Sequence, residues 1–538
     1  MAILSGCVYL KDISHGPHPI EHDKTVAQAW GQPAWADHSG VSRTMKACTD
    51  NTVEAVRDSI AAFTRPFIDR EVVLALQKKG YLVYDGDLTG RPVSSNSTTF
   101  PGAVFGWMDG FVKLGYQAAL VSMHSPTYGR MWLSVTPHPG DVISSTQAEA
   151  LVIAAEARTG TRPFRRTDLL ARRIEQKREQ VRKANDLLQS RRNRYEELLA
   201  QSRMVSSEWR QWRDEVVRLE QYYQAKGLTE RPYSHLAKAR KKMDVRHQRI
   251  RRRARDLRRV RQLIQQQAER VQEIQEELDV LEVRHTRFVE DNCTNRAPIR
   301  AIFRLDAGFG TWENIALLVE MGYDVYTKAF SHQVTSMMRG QVTAETGWVQ
   351  VGRNAHMTAW ADLPLDSSAY PLDVALERFR RGEEDRYAVL VHYGEDEVAD
   401  DLPGWFHFYN SRQTIEAGVK EGKHVFHMNH FKVRGPEGRA IQEEFTALAA
   451  NLVRWAARWL YEQSSQAEPP FDQPQIPVKQ MVRVAANTSA LVIWHPEGHL
   501  LLRFDELSPY PGIELRFGQG WAFQRPLPLF KNDDFGPV

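Results

Sequence analysis

Three carboxylates in this sequence stand where they could act together on a phosphate ester. Asp87 follows the apolar run Tyr81–Tyr84, Asp306 ends the apolar run in FRLD, and Glu416 lies in a segment with helical spacing. Carboxylate oxygens are the ligands that Mg²⁺ and Mn²⁺ prefer. Two such ions about 3.5–4 Å apart can activate an attacking oxygen and stabilise a leaving one. Asp85 is an alternative first ligand, because the alternation of side chains along the strand does not define where the strand ends.

The segment around Glu416 is the most specific of the three. Tyr409, Arg412, Glu416 and Lys423 have the spacing Y-x2-R-x3-E-x6-K. Steps of three, four and seven place side chains on one stripe of a helix, which we predict over Tyr409–Glu421. Glycines at 418 and 422 weaken this helix, so Lys423 is expected near or just beyond its end. A carboxylate flanked by cations suits a metal ligand whose neighbours bind phosphate.

This spacing resembles the Y-R-E-K signature of bacterial insertion-sequence transposases of the DDE superfamily. The segments LDAGFG, around Asp306, and DLTG, from Asp87, resemble the second and first aspartate motifs of the same family. The resemblance covers roughly residues 80–330 and 385–465, apart from a long insertion. It favours Asp87 over Asp85, because D-x-T is the usual form of the first motif.

The resemblance implies an α/β fold with an RNase H-like mixed-sheet catalytic core. It also implies hydrolytic nicking at the ends of a mobile element, followed by attack of the freed 3′-hydroxyl on target DNA. Asp87, Asp306 and Glu416 would then be the catalytic ligands of two Mg²⁺ (or Mn²⁺) ions. The partner would be double-stranded DNA, at transposon ends and target. A homodimer is expected on that DNA, because two ends must be held together.

The same resemblance suggests which residues contact DNA. Tyr409, Arg412 and Lys423 would contact phosphate. A tryptophan in a β-rich insertion, Trp348 or Trp360, would stack on a flipped base. Core packing is the other interpretation for each tryptophan.

Composition limits the class of protein. The chain has 538 residues, of which 42% are hydrophobic and 26% charged, which is typical of globular proteins. It contains no run of eighteen apolar residues and begins without the features of a signal peptide. Its three cysteines are far apart, which fits a reducing compartment and argues against a disulfide framework. We therefore expect a cytoplasmic, nucleoid-associated protein with no membrane span.

Local patterns predict the elements around the three carboxylates. Further strands are expected at Gln117–Met123, Met131–Val135 and Ala301–Leu305, and a helix from Ser144 or Ser145 to Arg158 that ends at Gly160. The expected regions are an N-terminal helical region with possible DNA-binding (1–79), three parts of the core (80–162, 298–329, 386–465), a coiled-coil hairpin (163–297), a β-rich insertion (330–385), and a linker with a β-rich tail (466–538). Within the first region a longer helix is expected over Thr49–Leu76, with Thr49 or Asp50 as its cap. Within the last, the Pro-rich stretch 468–477 is the linker, and Ala490–His495 and His499–Phe504 are candidate hairpin strands.

A sevenfold repeat of apolar residues predicts the coiled coil. It runs from Ile174 to Tyr223 and resumes from Met243 to Leu278 after a break at Gly227 and Pro232. The break predicts an antiparallel hairpin of two long helices. Residues 163–290 carry 33 Lys and Arg against 20 Asp and Glu, whereas the remainder carries 38 against 47. The stretch from Lys238 to Arg261 is the most basic. It is either a solvated face or an arm that follows a DNA backbone.

Three other patterns each have a purely structural interpretation. His424, His427 and His430 recur every third residue, but no fourth ligand accompanies them, so packing is favoured over zinc. HSGVSRTMKACT, which starts at His38, fits either the second helix of a helix-turn-helix or a helical cap on the core. Gly308 and Gly310 are expected in a tight turn, rather than in a phosphate loop.

Three rival functions remain open from the sequence. One is a catalytically silent DNA-binding or architectural protein derived from a transposase. The second is a coiled-coil scaffold that needs no metal. The third is a nuclease that cuts without strand transfer, which only an assay of joined products separates from a transposase.

Overall fold

The computed structural model describes residues 1–17, 19–29, 32–366, 368–382, 384–463, 469–485, 487–494, 500–511 and 514–517. Its helices are α1 (Asp12–His15), α2 (Lys24–Ala29), α3 (His38–Ala47), α4 (Asp50–Lys79), α5 (Ala148–Thr159), α6 (Thr167–Ala225), α7 (His235–Thr294), α8 (Trp312–Glu320), α9 (His332–Gly340), α10 (Leu402–Asn410), α11 (Gln413–His424), α12 (Pro436–Gln463) and α13 (Val478–Gln480). Its strands are β1 (Tyr81–Pro92), β2 (Val104–Met108), β3 (Phe111–Ser125), β4 (Gly129–Pro139), β5 (Arg300–Arg304), β6 (Asp324–Lys328), β7 (Val349–Gly352), β8 (Ala355–Leu363), β9 (Leu372–Arg381), β10 (Glu384–Tyr393), β11 (Ala490–Trp494), β12 (Leu500–Phe504) and β13 (Glu514–Phe517).

The chain forms two units. One comprises residues 1–164 and 295–538, and the other comprises Arg165–Thr294. The first unit is a mixed α/β structure around a ten-stranded sheet, which confirms the predicted α/β class. Strand order is β2-β3-β1-β5-β6-β10-β9-β8-β7, with β4 also paired to β3. Parallel pairing joins β1 to β5 and β5 to β6, and the other pairs are antiparallel.

The pairing of β1 with β5 brings together residues that are far apart in sequence. Asp85 lies opposite Arg304 in this parallel register, although the two residues are 219 positions apart. Buried apolar side chains fill both strands, including Leu82, Val83 and Ile302. Strands buried on both faces are typical of the parallel part of a sheet. The centre of the sheet is therefore fixed by hydrophobic burial on both sides.

The predicted β-rich insertion extends the same sheet instead of forming a separate body. Its strands β7 to β9 continue the order through β10, whose His392 lies opposite Tyr326 of β6. The region also contains α9, which the sequence analysis did not predict. Alternation of apolar residues predicts that a strand exists, but it does not say which strand is its neighbour.

Helices α4, α5 and α12 pack against the sheet. The side-chain oxygen of Thr49 accepts a hydrogen bond from the backbone N–H of Thr52, which caps α4 as predicted. Gly160 ends α5 in the left-handed conformation, also as predicted. The prediction that Ser144 or Ser145 caps α5 is wrong. Those serines lie in a short 3₁₀ turn, and the helix begins at Ala148.

The N-terminal helices form a cap on the core. Met45 of α3 and Val56 of α4 pack against Ala440 and Ile441 of α12. This packing is that of the helical-cap interpretation. None of the helices in the described part of the chain is long and apolar enough to cross a membrane.

The segment predicted as a linker, 468–477, is packed over its described residues, 469–477. Phe471 and Ile476 are buried in the cluster that contains Val453 and Leu460 of α12. Its prolines suggested an extended spacer, but the two apolar side chains between them anchor it to α12. The predicted C-terminal hairpin is present as β11 and β12, and β13 adds a third strand. The predicted hairpin residues His495 and His499 lie outside the described residues.

The second unit is the predicted antiparallel pair of long helices. Lys177 pairs with Glu277 at 2.6 Å and Arg246 with Glu208 at 3.2 Å, so the partner number falls as the residue number rises. Predicted seam residues are buried on both helices: Ile174, Leu188, Leu198, Val216, Ile274, Leu278 and Leu281. The sevenfold repeat therefore located both helices and their contact face.

Gly310 occupies a close approach of two backbones just after Asp306. A Cβ at this position would lie 1.8 Å from the carbonyl oxygen of Lys328, which ends β6. The backbone N–H of Phe330 also donates to the carbonyl oxygen of Gly310 at 3.1 Å. The glycine in LDAGFG thus serves a tight turn, as predicted, and keeps the Asp306 turn against β6.

We predict that Gly310→Ala destabilises the protein by about 1–3 kcal/mol, because the added methyl group must displace a backbone carbonyl. Gly340→Ala is the matched control. An added Cβ at Gly340 meets nothing within 4 Å, so this helical substitution should be neutral or slightly stabilising. Thermal unfolding followed by circular dichroism measures both variants. Equal midpoints for the two would contradict the proposed close approach.

Candidate active site

Asp87 and Asp306 are held at the same end of two neighbouring parallel strands. Each lies two residues beyond a directly paired position, Asp85 on β1 and Arg304 on β5. Asp87 lies within β1, which continues to Pro92, so the prediction that the strand ends before it is wrong. Pairing of Asp87 with Leu120 of β3 keeps the strand extended through this point. Neighbouring strands are about 4.8 Å apart, so the two carboxylates project from adjacent positions.

Glu416 reaches this end from a helix that the structure divides in two. The predicted helix over Tyr409–Glu421 is instead the end of α10 followed by α11, with Ser411 and Arg412 between them. The four signature residues therefore do not share one continuous stripe. Lys423 lies within the last turn of α11 rather than beyond its end.

Arg304 explains why the helix breaks at this point. Its Nη1 donates to the carbonyl oxygen of Phe408 and to Ser411 Oγ. Ser411 Oγ also donates to the same carbonyl, and the backbone N–H of Arg412 bonds to Tyr409 instead. A regular helix would use the Phe408 carbonyl for the residue 412 N–H. The buried guanidinium therefore replaces one backbone bond and redirects α11.

Asp85 is the counter-ion of Arg304, which distinguishes it from Asp87. Its two carboxylate oxygens accept from Arg304 Nε at 2.7 Å and Nη2 at 2.9 Å, and His124 Nε2 lies 2.7 Å from Oδ2. Burial acts to raise the pKa of Asp85, but Arg304 and His124 hold that pKa below its usual range. Both oxygens of Asp85 are thus engaged by the side chains of Arg304 and His124, whereas Asp87 Oδ1 accepts from the backbone N–H of Leu88 at 2.9 Å.

Asp306 and Glu416 lie close enough to Asp87 to raise its pKa, and Glu416 lies close enough to Asp306 to do the same. Burial raises the pKa of Asp87 to about 7; Arg412 lowers it, and the Asp306 and Glu416 carboxylates raise it. Burial also raises the pKa of Asp306. Arg412 and two backbone N–H groups oppose that rise, and Glu416 adds to it. The structure therefore brings the three predicted ligands together around a single cation, Arg412.

Arg412 is buried beneath these carboxylates. Its Nη2 donates to Glu416 Oε1 at 3.0 Å, and its Nη1 is buried with no hydrogen-bond partner among the described residues. Burial lowers the pKa of Arg412, but Tyr409 and the carboxylates more than offset this and hold it above its usual value. A buried N–H without a partner is rare in proteins. Arg412 can therefore donate to an oxygen that the chain itself does not supply.

A divalent cation fits the chemistry of this donor set. Three carboxylates share one arginine, and burial, together with repulsion from Asp306 and Glu416, keeps the pKa of Asp87 high. As the side chains stand, no group of three or more His, Cys, Asp or Glu within the described ranges is arranged around a metal position. Glu416 instead faces Arg412. Its side chain is 48% exposed, which leaves it free to turn toward the two aspartates.

Tyr409 and Lys423 flank the carboxylates in different ways. Tyr409 is buried, and its hydroxyl donates to the carbonyl oxygen of Leu305 at 3.2 Å, the residue before Asp306. Burial lowers the pKa of Lys423, whereas Asp109 and Asp87 raise it. Lys423 Nζ lies 3.7 Å from Asp109 Oδ1. Lys423 is therefore near the carboxylates, while Tyr409 fixes the backbone that carries one of them. Contacts of either residue with DNA stay predictions.

The structure does not bring Trp348 and Trp360 to this site. Trp360 lies on β8, four places from β5 in the sheet, and Trp348 precedes the edge strand β7. Arg378 covers the ring of Trp348 with its guanidinium carbon 4.5 Å from the ring centre. Both rings are partly buried in the sheet surface. Their role in base stacking stays a prediction.

The three histidines do not share a helical face. His424 ends α11, and His427 has a positive φ of 53°, so the chain turns between them. His430 makes an edge contact with Tyr9. This arrangement is one of packing.

Sequence reasoning missed Arg304 and the ribbon of β2 and β3. Arg304 lies within FRLD. A single charged residue in an otherwise apolar run was the only sequence signal for a buried ion pair. The ribbon turns at Asp109 and Gly110, both with positive φ, as expected of an Asp-Gly hairpin turn. Its aromatic residues Phe105 and Trp107 are exposed.

Comparisons with known proteins give no relative. The chain matches no protein-family model, and no curated protein matches it.

We predict that Arg304→Lys destabilises the protein by about 2–3 kcal/mol, because an ammonium group cannot replace the fork that binds Asp85 and the Phe408 carbonyl together. The control is Arg300→Lys on the same strand. Arg300 also pairs with carboxylates but is partly exposed, so its loss should be smaller. Urea unfolding measures both variants. A larger loss for the Arg300 variant would contradict the role of Arg304.

We predict that Asp87→Asn stabilises the protein, and more so at about pH 8 than at about pH 4.5. The folded-state pKa of Asp87 is raised to about 7, so the fold binds this proton more tightly than the unfolded chain does. The resulting stability is fully present below the unfolded pKa and is lost as the pH rises through 7. The gain near pH 8 should be on the order of 1–3 kcal/mol.

Thermal midpoints across this pH range test the Asp87 prediction. The control is Asp472→Asn at an exposed position, which should show no such trend. A destabilising Asp87→Asn at pH 8 would show that this carboxylate stabilises the fold as an anion.

Proposed function

We propose that this chain is a DNA transposase of the DDE type, which cleaves and joins the ends of a mobile element by two-metal phosphoryl transfer. The observation that carries the proposal is the convergence of Asp87, Asp306 and Glu416 on one buried arginine at the ends of two parallel strands. These residues come from three distant parts of the chain. Carboxylates whose pKa values are raised by burial and by neighbouring carboxylates, as those of Asp87 and Asp306 are, are typical of functional sites.

The strand order supports an RNase H-like core. Apart from the ribbon strand β2, the core strands in chain order are β1, β3, β4, β5 and β6. The first carboxylate lies on the first of these strands, the second follows the fourth, and the third lies on a later helix. The resemblance to DDE transposases implies this same order. Similar topology alone does not define an activity, so the proposal depends on the carboxylates.

Each side chain has a distinct role in this proposal. Asp87, Asp306 and Glu416 would hold two Mg²⁺ or Mn²⁺ ions. Such ions activate an attacking oxygen and stabilise the leaving one when they are bound. Arg412 Nη1 would donate to a phosphate oxygen, since it is buried and lacks a protein partner. Lys423 would supply a second positive charge from the end of α11.

The expected partner is double-stranded DNA, and the expected assembly is a homodimer on that DNA. A catalytically silent architectural protein would have no need to keep three repelling carboxylates around Arg412. A nuclease would keep them, so it remains the nearest alternative. Only joined DNA products separate strand transfer from cleavage alone.

The test is an assay of cleavage and strand transfer on DNA that carries the repeats flanking this gene, with Mg²⁺ or Mn²⁺. We expect Glu416→Gln to lower both activities by about 100-fold or more, since loss of a metal ligand removes several kcal/mol of transition-state stabilisation. Glu397→Gln is the control, because Glu397 is exposed in a loop outside the site, and its activity should be unchanged.

Three outcomes of this assay would count against the proposal. Cleaved but unjoined products would indicate a nuclease. DNA binding without cleavage in any variant would indicate the architectural protein. Equal activity of Glu416→Gln and the wild type would remove Glu416 from the site.

A further inference from the structure

One stretch of the second unit has a charge pattern unlike the rest of its two helices. Between residues 245 and 268 of α7 there are nine arginines, and the only acidic residue is Asp256. Several exposed arginines of α6 instead pair with acidic neighbours. Arg182 pairs with Glu179 at 2.7 Å, and Arg194 with Glu197 at 2.9 Å. Exposed faces of coiled coils usually alternate charges in this way.

Five of these arginines form one outward surface, which we call the arginine face: Arg251, Arg252, Arg255, Arg258 and Arg259. The seam residues Ile250 and Leu257 are partly buried against α6, and the five arginines occupy the positions between them that point away. All five are exposed, and none has a salt-bridge partner among the residues whose placement the structure describes.

The arginine face opposes helix stability. Arg255 lies three or four residues from each of the other four. Like charges at these spacings destabilise a helix by a few tenths of a kcal/mol per pair. The nearest cations with partners, Arg246 and Arg253, pair with Glu208 and with Asp256, the one acidic residue of this stretch, so a single carboxylate faces the charge of five arginines. Repulsion among the arginines gives no advantage to a face that contacts only water. A surface that binds a polyanion gains from the same charges, because they attract its negative groups.

We infer that the arginine face binds the phosphate backbone of duplex DNA. This inference rests on the proposed function, which supplies DNA as the partner. With Lys238 and Lys241 on the same outward positions, the basic stretch from Lys238 to Arg259 spans 22 residues, or about 33 Å at 1.5 Å per residue. Duplex DNA carries one charge per about 1.7 Å of its axis, so such a length meets several phosphates. Arginines contact phosphate without reading bases, so this binding is independent of sequence.

The test measures how the affinity of the full chain for a duplex of arbitrary sequence depends on salt. EDTA is present so that no DNA is cleaved. Each phosphate contact contributes about −0.9 to the slope of log K against log salt concentration. The variant R251Q/R255Q/R258Q should therefore reduce the magnitude of that slope by about two to three. The variant R251K/R255K/R258K should retain the slope, because charge rather than geometry is required.

The matched control is R182Q/R194Q/R218Q, which removes the same charge from exposed arginines of α6 that already pair with acidic residues. It should leave the slope nearly unchanged. Circular dichroism checks that each variant keeps its helices, which glutamine favours. Equal slopes for the two glutamine variants would overturn the inference. So would displacement of the DNA by poly-L-glutamate as readily as by a second duplex.

This result is separable from that of the cleavage assay. A slope that falls only for the arginine-face variant supports the inference even if no DNA is ever cleaved. Cleavage and joining with equal slopes would support the proposed function and reject the arginine face.

Discussion

The end of the sheet that carries the three carboxylates depends on one buried ion pair, between Arg304 and Asp85. The guanidinium lies on β5, its carboxylate partner lies on β1, and His124 joins them from β3. The same guanidinium binds the Phe408 carbonyl and so places the break between α10 and α11. A single buried cation therefore fixes three strands and the helix that carries Glu416. Removal of either partner of such a pair leaves an uncompensated charge in the core, which is strongly destabilising.

Asp87 and Asp306, two residues beyond Asp85 and Arg304, are not matched by partners in this way. Asp85 is fully matched by its partners, whereas Asp87 and Asp306 share Arg412 with Glu416. The three carboxylates therefore repel one another at a position where a bound metal ion would relieve the repulsion. The Arg304–Asp85 ion pair and the cluster of carboxylates around Arg412 thus differ in how completely their charges are matched. In the proposed function, the first would supply position, and the second would supply affinity for cations and phosphate. Proteins commonly give up stability at functional sites in this way.

Much of this organisation could be predicted from the sequence. The sevenfold repeat located α6 and α7, and the three carboxylates lie near Arg412, although Asp87 lies within β1 rather than at its end. The helix break was not predictable, because it arises when Arg304 takes a carbonyl that local spacing assigns to α10. The pairing of β10 with β6 was missed for a similar reason, since period-two alternation carries no information about neighbours. In each of these cases long-range contacts, rather than the local sequence pattern, determined the structure.

The most direct test of the central claim is a crystal of the protein soaked in Mn²⁺, with anomalous scattering used to locate the metal. We expect peaks bounded by Asp87, Asp306 and Glu416, with the Glu416 side chain turned away from Arg412. Soaked Asp306→Asn crystals should lose them. A Glu416–Arg412 pair that persists at high Mn²⁺, with no peak among the three carboxylates, would contradict the account.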